Sequence, residues 1–292
     1  NDFYFKKTKE DLEKLPYINK VTINKFHIDN NKSDINLDIE ENKKTGNISF
    51  AGFFSSDTGA GISLGTNDTN IFGTGNQLSL DVNLTEDYIQ FKSSYSKSSL
   101  INPYLRNNYF ISNLENDLSS SYGFKSKEQG IGYGISFKYS EDTNLSGTIS
   151  YKNLEGYSPN NSKSSVNDNI GSFQDFILDL SINTNTTNDI FYPTKGYLSN
   201  FNISISPNDI SDNSYYKLRV NNSYYIESKS TNNFYFANSK IGIADSFDGN
   251  LKTLNTFSLG GNNFLGFDYK GIGQLDDSIY LGGNKFFTFT VG

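Results

Sequence analysis

From residue 47 onward the chain alternates apolar and polar residues with a period of two. In "QLSLDVNLT" Leu78, Leu80, Val82 and Leu84 alternate with Ser79, Asp81 and Asn83, and "FILDLSIN" repeats the pattern with Phe176, Leu178, Leu180 and Ile182. "GIGYGISFKY" puts Ile131, Tyr133, Ile135, Phe137 and Tyr139 on one face and Gly132, Gly134, Ser136 and Lys138 on the other. Residues two apart share a face of a strand, so the pattern predicts sheet with one apolar and one polar side. Strands are expected near 47–56, 60–68, 75–86, 88–99, 108–119, 129–140, 143–154, 173–186, 196–206, 214–227 and 233–245, with a twelfth beginning at 284. Short turns separate most of them, among them "LTEDY", "YSEDTN" and "YPTKG". Longer connections lie at 119–129, 154–172 and 246–283.

The polar face carries Ser, Asn, Gln, Asp, Lys and Gly along whole strands of about 10–12 residues. Strands tilted across a bilayer need roughly 9–11 residues, whereas strands of soluble sheets run to about 5–6. The pattern therefore predicts a mainly β protein, a transmembrane antiparallel up-and-down β-barrel. Tyr88, Tyr104, Tyr109, Tyr122, Tyr157, Phe191, Tyr192 and Tyr197 sit near strand ends, where interfacial aromatic girdles form.

Residues 1–43 follow a different pattern. "KKTKEDLEKLPY" predicts a short amphipathic helix with Leu12 and Leu15 on one face, stopped by Pro16. Two alternating strands follow, "NKVTINKF" with Val21 and Ile23, then "SDINLDIEEN" with Ile35, Leu37 and Ile39. A small α+β unit thus precedes the sheet, joined to it by "KKTG" at 43–46.

Composition removes several classes of function. The chain has 292 residues, no Cys and one His, which excludes disulfides, thiol catalysis and His-rich metal sites. The net charge of −7, with no basic stripe, argues against a nucleic-acid partner. Phe and Tyr number 24 and 20 in a chain only 35% hydrophobic, an aromatic weight unusual for a compact soluble core. No apolar run approaches the 18 residues of a spanning helix, which leaves a barrel open. The first residues, "NDFYFKKTKEDLEKL", hold no signal-peptide core, and the lack of Met points to a processed form or an excised segment.

Candidate chemistry is sparse, and no catalytic or metal-ligating set emerges. His27 in "NKFHIDN" lies near the end of a strand in the N-terminal unit, so a Ser-His-Asp site would have to recruit it from outside the barrel. "GTG" at 73–75 and "GIGYG" at 130–134 do not lead from a strand into a helix, so they are not phosphate loops. Asp276 and Asp277 lack the oxygen-rich spacing of a calcium loop. Asn83-Leu84-Thr85 and similar tripeptides follow from an Asn- and Ser-rich composition. The chain is expected to be no enzyme and to need no cofactor.

The long connection is itself informative. "FSLGGNNFLGFDYKGIGQ", residues 257–274, concentrates glycines and aromatics where a surface loop would be polar. With "LGGNKFFTF" after it, it resembles the sixth extracellular loop of BamA-type outer-membrane assembly factors and the strand that follows. "NIFGTG" (70–75), "INPYL" (101–105) and "DIFYPTKGY" (189–197) are similar to turns of that family, in the family's order. The third comprises Phe191, Tyr192, Pro193, Thr194 and Gly196. Residues 1–43 look like the end of the last POTRA domain, a periplasmic unit, so 44–292 would be the N-terminal part of the barrel. The resemblance implies about 16 strands, of which the first 11–12 are present, in a fragment of a longer reading frame.

What the resemblance implies for mechanism is specific. The loop 246–283 would fold into the barrel lumen, with Phe264, Phe267 and Tyr269 filling space. Gly260, Gly261, Gly266, Gly271 and Gly273 would allow its turns beside Ile272. The arginine of the family's "RGF" motif is Leu265 here, so the family's lock between loop and barrel lacks its donor. The first barrel strand, with Ile48, Ser49, Phe50, Ala51, Gly52, Phe53 and Phe54, would be a lateral gate loosened by Gly46 and Gly52. The implied function is folding and insertion of unfolded outer-membrane β-barrel clients, in the lipid bilayer of the bacterial outer membrane, with accessory lipoproteins. Alternatives are a TamA-like or two-partner secretion translocation barrel, a porin or adhesin barrel, and a soluble β-rich surface protein.

Overall fold

The structure, a computed structural model, describes residues 2–29, 32–55, 59–99, 102, 104–119, 123–158, 164–228, 233–261, 264–268, 270–276 and 279–292. Tyr122, Tyr269 and Asp277, and parts of the "INPYL" turn, lie outside the described residues, as does the side chain of His27.

The N-terminal unit is helix α1 (Asp2–Glu13) and strands β1 (Ile18–Asp29) and β2 (Lys32–Glu41), the two strands pairing as an antiparallel hairpin. The helix covers Val21, which is fully buried and whose N–H donates to the Glu13 carboxylate at 3.1 Å. Further along the same face Ile35, Leu37 and Ile39 stay exposed.

A single twelve-stranded sheet makes up most of the rest. Its strands are β3 (Gly46–Ser55), β4 (Gly59–Asp68), β5 (Gln77–Thr85), β6 (Tyr88–Ser98), β7 (Leu105–Leu118), β8 (Phe124–Lys138), β9 (Thr143–Tyr157), β10 (Gly171–Asn185), β11 (Gly196–Ser206), β12 (Tyr215–Glu227) and β13 (Phe234–Ser246). After two-residue strands β14 (Leu275–Asp276) and β15 (Ile279–Tyr280), β16 (Lys285–Val291) pairs with β13. Each strand is antiparallel to its neighbour in sequence, so the order runs from β3 to β13 and then β16 without a crossover.

This matches the expected up-and-down architecture strand for strand. The differences are at β7 and β8, which begin at 105 and 124 rather than 108 and 129, and at β9, which ends at 157 rather than 154. In "FKSKE" at the start of β8 only Phe124 is apolar and polar residues fill both faces after it, so alternation does not mark it. Backbone pairing with Leu118, Asp117 and their neighbours does.

The two faces differ as the alternation requires. On one, Ile48, Phe50, Ile62, Leu64, Ile111, Ile131, Ile149, Leu180, Ile182 and Phe287 are solvent-exposed apolar side chains. Tyr95, Tyr109 and Tyr133 form a row across this face, with successive ring centroids 6.3 and 5.2 Å apart. The other face is cross-linked by polar side chains. Ser79 and Ser94 hydroxyls lie 2.7 Å apart, Ser96 donates to Asn108, Asn108 donates to Ser136, and Lys152 meets Glu128 at 2.7 Å. An exposed apolar face around a hydrogen-bonded polar interior inverts a soluble fold and suits a wall between lipid and a wet lumen. At one end of the sheet Phe124 and Val166 form a small buried core with Leu118, Ile170, Leu254 and Leu281.

Candidate functional site

Three regions carry the residues singled out from the sequence. The first is β3, which pairs with β4 over the full Gly46↔Asp68 to Ser55↔Gly59 register and with no other described strand. Ile48, Phe50 and Phe54 project from the apolar face at 80%, 72% and 81% exposure. Gly52 lies between them, and a Cβ built on it would meet nothing within 4 Å. Ser49, Ala51 and Phe53 face the polar side, where the Phe53 ring fills the space that Gly61 of β4 leaves.

The second is the turn 186–195. Asp189 accepts from the N–H groups of Phe191 and Tyr192 at 2.7 and 2.8 Å, and Asn188 accepts from those of Thr194 and Lys195, each at 3.0 Å. Gly196 closes the turn at φ +101°, directly against the Thr186 carbonyl, where a side chain would not fit. These bonds hold Ile190, Phe191 and Tyr192 almost wholly exposed. The two backbone N–H groups keep the Asp189 carboxyl below its ordinary pKa.

The third is the long connection after β13. Its base is pinned to the polar face of the sheet. Phe257 is 7% exposed, exchanges backbone hydrogen bonds with Gly283 at 2.9 Å in both directions, and packs edge-on against Phe286 with centroids 4.9 Å apart. Both rings lie over Gly242, where a Cβ would run into Phe286 and stand 2.8 Å from Phe257. Lys217 of β12 donates to the carbonyls of Asn255 and Thr256, at 2.8 and 3.3 Å. Upstream, the Leu254 N–H donates to Asn169, and Lys252 lies over the Phe173 ring. Burial lowers the Lys252 pKa against opposing pulls from Asp175, Asp168 and Asp212.

The tip of this connection is built differently. Phe264 stacks on Phe267 with centroids 5.6 Å apart, yet Phe267 is 52% and Leu265 83% exposed. Gly260, at φ +117°, has the Asp268 carbonyl where a Cβ would go, and Gly261 donates to the Phe267 carbonyl. Ile272 closes this small unit through its bridge to Leu259. Of the three expected fillers, Phe267 is exposed and Phe264 half-buried, and Tyr269 lies outside the described residues. Among the described residues the filling aromatic is Phe257, ten residues before Phe267, backed by Phe286. Alternation hid Lys217 and Arg219, because charged residues on a polar face attract no notice. The one available signal was two cations two residues apart with a glycine strand beside them. No group of three or more acidic or His side chains gathers among the described residues, so no metal set is present there.

An Omp85 superfamily domain matches residues 70–292. The chain belongs to the Omp85 superfamily. The chain is also similar in sequence to the outer membrane protein assembly factor BamA of Buchnera aphidicola subsp. Acyrthosiphon pisum. The two are 31% identical over 130 residues, which are 40% of this chain and 21% of that protein. Among solved structures it resembles BamA from Haemophilus ducreyi lacking POTRA domains 1–3, with a TM-score of 0.82 at 22% identity. That match covers 98% of this chain and 60% of the other. CdiB from Acinetobacter baumannii matches at a TM-score of 0.58 and 14% identity, over 91% of this chain and 51% of the other. These likenesses match the twelve-stranded sheet to the wall of a BamA-type barrel. The chain spans a minor part of the curated relative and about three fifths of the first solved structure.

Proposed function

We propose that this Omp85 chain is the barrel-bearing part of an outer-membrane assembly factor, which inserts client β-barrels by strand pairing at β3. The single observation that carries the reading is an Omp85 domain match over 70–292 on a sheet whose first strand, β3, is only 10 residues long and holds Gly52 with nothing within 4 Å at its centre. An unpaired strand edge is a template for another strand. A client strand adds to it through main-chain hydrogen bonds with little demand on sequence. Burial of the client's apolar face in lipid then drives the process, so no nucleotide or cofactor enters, and the chain acts as no enzyme.

In this reading residues 1–43 are the end of the last POTRA domain and stand in the periplasm, delivering unfolded clients to the barrel with accessory lipoproteins. Contacts at the joint support that arrangement: Thr69 donates to the Thr45 carbonyl through both its N–H and its hydroxyl, and Gly75 packs on the Tyr17 hydroxyl. The connection 246–283 occupies the lumen, and the 191–196 turn marks the periplasmic rim. The translocation-barrel alternative is favoured by nothing specific, since the CdiB folds superpose less closely than the BamA fold.

The test uses the absence of native cysteines. A cysteine at Ala51 and one on the strand that closes the barrel are oxidised to a disulfide. The locked protein is expected to stop inserting clients, and reduction to restore it. Client insertion at the parent rate in a fully cross-linked sample would end the gate reading.

A further inference from the structure

We infer that the long connection is locked at its base by Lys217 of β12. The Lys217 ammonium is the only point at which a wall cation reaches the connection's backbone among the described hydrogen bonds. It bridges two successive carbonyls, Asn255 and Thr256. The same nitrogen stands 4.6 Å from the centroid of the Phe257 ring, and the Arg219 guanidinium carbon lies 5.6 Å from it. Neither cation has a carboxylate within ion-pair distance among the described residues, unlike Lys152, which meets Glu128. Their charge is met by carbonyl oxygens and an aromatic face, both of which belong to the connection. A lysine that served only to solubilise the lumen would have no need of either.

The arrangement is directional. Lys217 and Arg219 sit side by side on the polar face, and the strand opposite presents Ala244 and Gly242 at the paired positions. That absence of side chains makes a slot, and Phe257 fills it with Phe286 behind. Thr256 adds a hydroxyl bond to the Leu281 carbonyl at 2.9 Å, and the Phe257–Gly283 bridge ties the outgoing chain to the same spot. Ammonium, ring and glycine slot together hold both ends of a connection that runs from 247 to 284. Charge-assisted bonds and cation–ring contacts are the stronger members of their classes.

The lock is read independently of client insertion; only its consequence for insertion rests on the proposed function. In the full chain in outer membranes, Ser258→Cys, next to the buried Phe257, supplies the sole thiol for a bulky maleimide. Lys217→Met keeps the stem and removes the donors. It is expected to raise the labelling rate about tenfold or more, and Lys217→Arg to restore protection. Phe257→Leu is expected to raise labelling alone, and to add little on top of Lys217→Met, because the two act as one unit. Leu265→Ala is expected to leave labelling unchanged. Labelling in Lys217→Met within about twofold of the parent, or an equal rise in Leu265→Ala, would overturn the assignment. Should Lys217→Met fail to assemble, Phe257→Leu with and without Lys217→Arg carries the same decision. Client insertion is scored separately: a loosened loop with normal insertion would spare the lock and count against the proposed function.

Discussion

The middle of the sheet and its β3 end are built from the same alternating pattern, yet they use glycine for opposite ends. Strands β8, β9 and β10 each have 15 residues, and their registers run almost their full length. Strands β3, β4 and β5 have 10, 10 and 9. In the interior, Gly132 and Gly242 are occupied positions: the rings of Phe110 and of Phe286 with Phe257 lie where their side chains would be. On β3, Gly52 lies on the apolar face between Phe50 and Phe54 and has nothing near it. An interior glycine thus admits an aromatic ring and tightens the wall. The β3 glycine admits nothing and leaves its strand looser, since glycine loses the most backbone freedom on ordering.

The sharpest way to break this contrast is to put the same side chain at both kinds of position. Gly242→Val drives a branched side chain into two rings and the base of the lumenal connection. Overpacking of this sort costs about 1–3 kcal/mol or more. The expected result is loss of the folded, heat-modifiable band on a cold gel, together with release of the loop. Gly52→Val should do the reverse, adding up to about 1 kcal/mol to β3 because valine suits a strand and has room. Under the proposed function that variant assembles normally and inserts clients several-fold more slowly. Equal tolerance of valine at both sites would remove the distinction.

Hydrogen exchange sharpens the comparison without mutation. Amides of β3 and β4 are expected to exchange well before those of β8 and β9, because these strands have 10 residues each against 15 and so fewer ladder bonds to open together. Protection of β3 equal to that of β9 in the native protein would mean the short strand is held as firmly as the long ones.

The strands were legible because a bilayer enforces alternation on every residue it touches. Legibility fails where lipid stops acting: the first residues of β8 are paired backbone carrying "FKSKE", with Phe124 there wholly buried. The candidate site shows the same limit. Glycines and aromatics at 257–274 announced a structured loop. Which aromatic is anchored depended on strands β12, β13 and β16 meeting at Phe257, a long-range fact that spacing along the chain does not encode. Leu265 stands where the family motif has its arginine, which sequence alone could show, whereas Lys217 reads locally as one more charge on a wet face.

The 191–196 turn offers a milder test of how rim and wall differ. Phe191→Trp would introduce an indole into a chain that has no Trp of its own. Held out beside Tyr192 by the Asp189 carboxylate, it is expected at the lipid headgroup level, with emission quenched by brominated lipids. Undiminished emission in those lipids would place the turn in water.

The same fluorophore reads a pH dependence of smaller size. Asp189 has its pKa lowered by the N–H groups of Tyr192 and Phe191. A carboxylate with a depressed folded pKa contributes stability that is fully present above its ordinary value, about 3.9, and lost as pH falls through the folded value. In the Phe191→Trp protein the turn should therefore hold from neutral pH down to about pH 4 and loosen below it, with the indole emission shifting as the two bonds weaken. Adding Asp189→Asn keeps an acceptor oxygen that does not titrate, so the profile of that double variant should be flat over the same range. A parallel shift in both proteins would assign the acid transition to some other part of the barrel, since only the carboxylate distinguishes them.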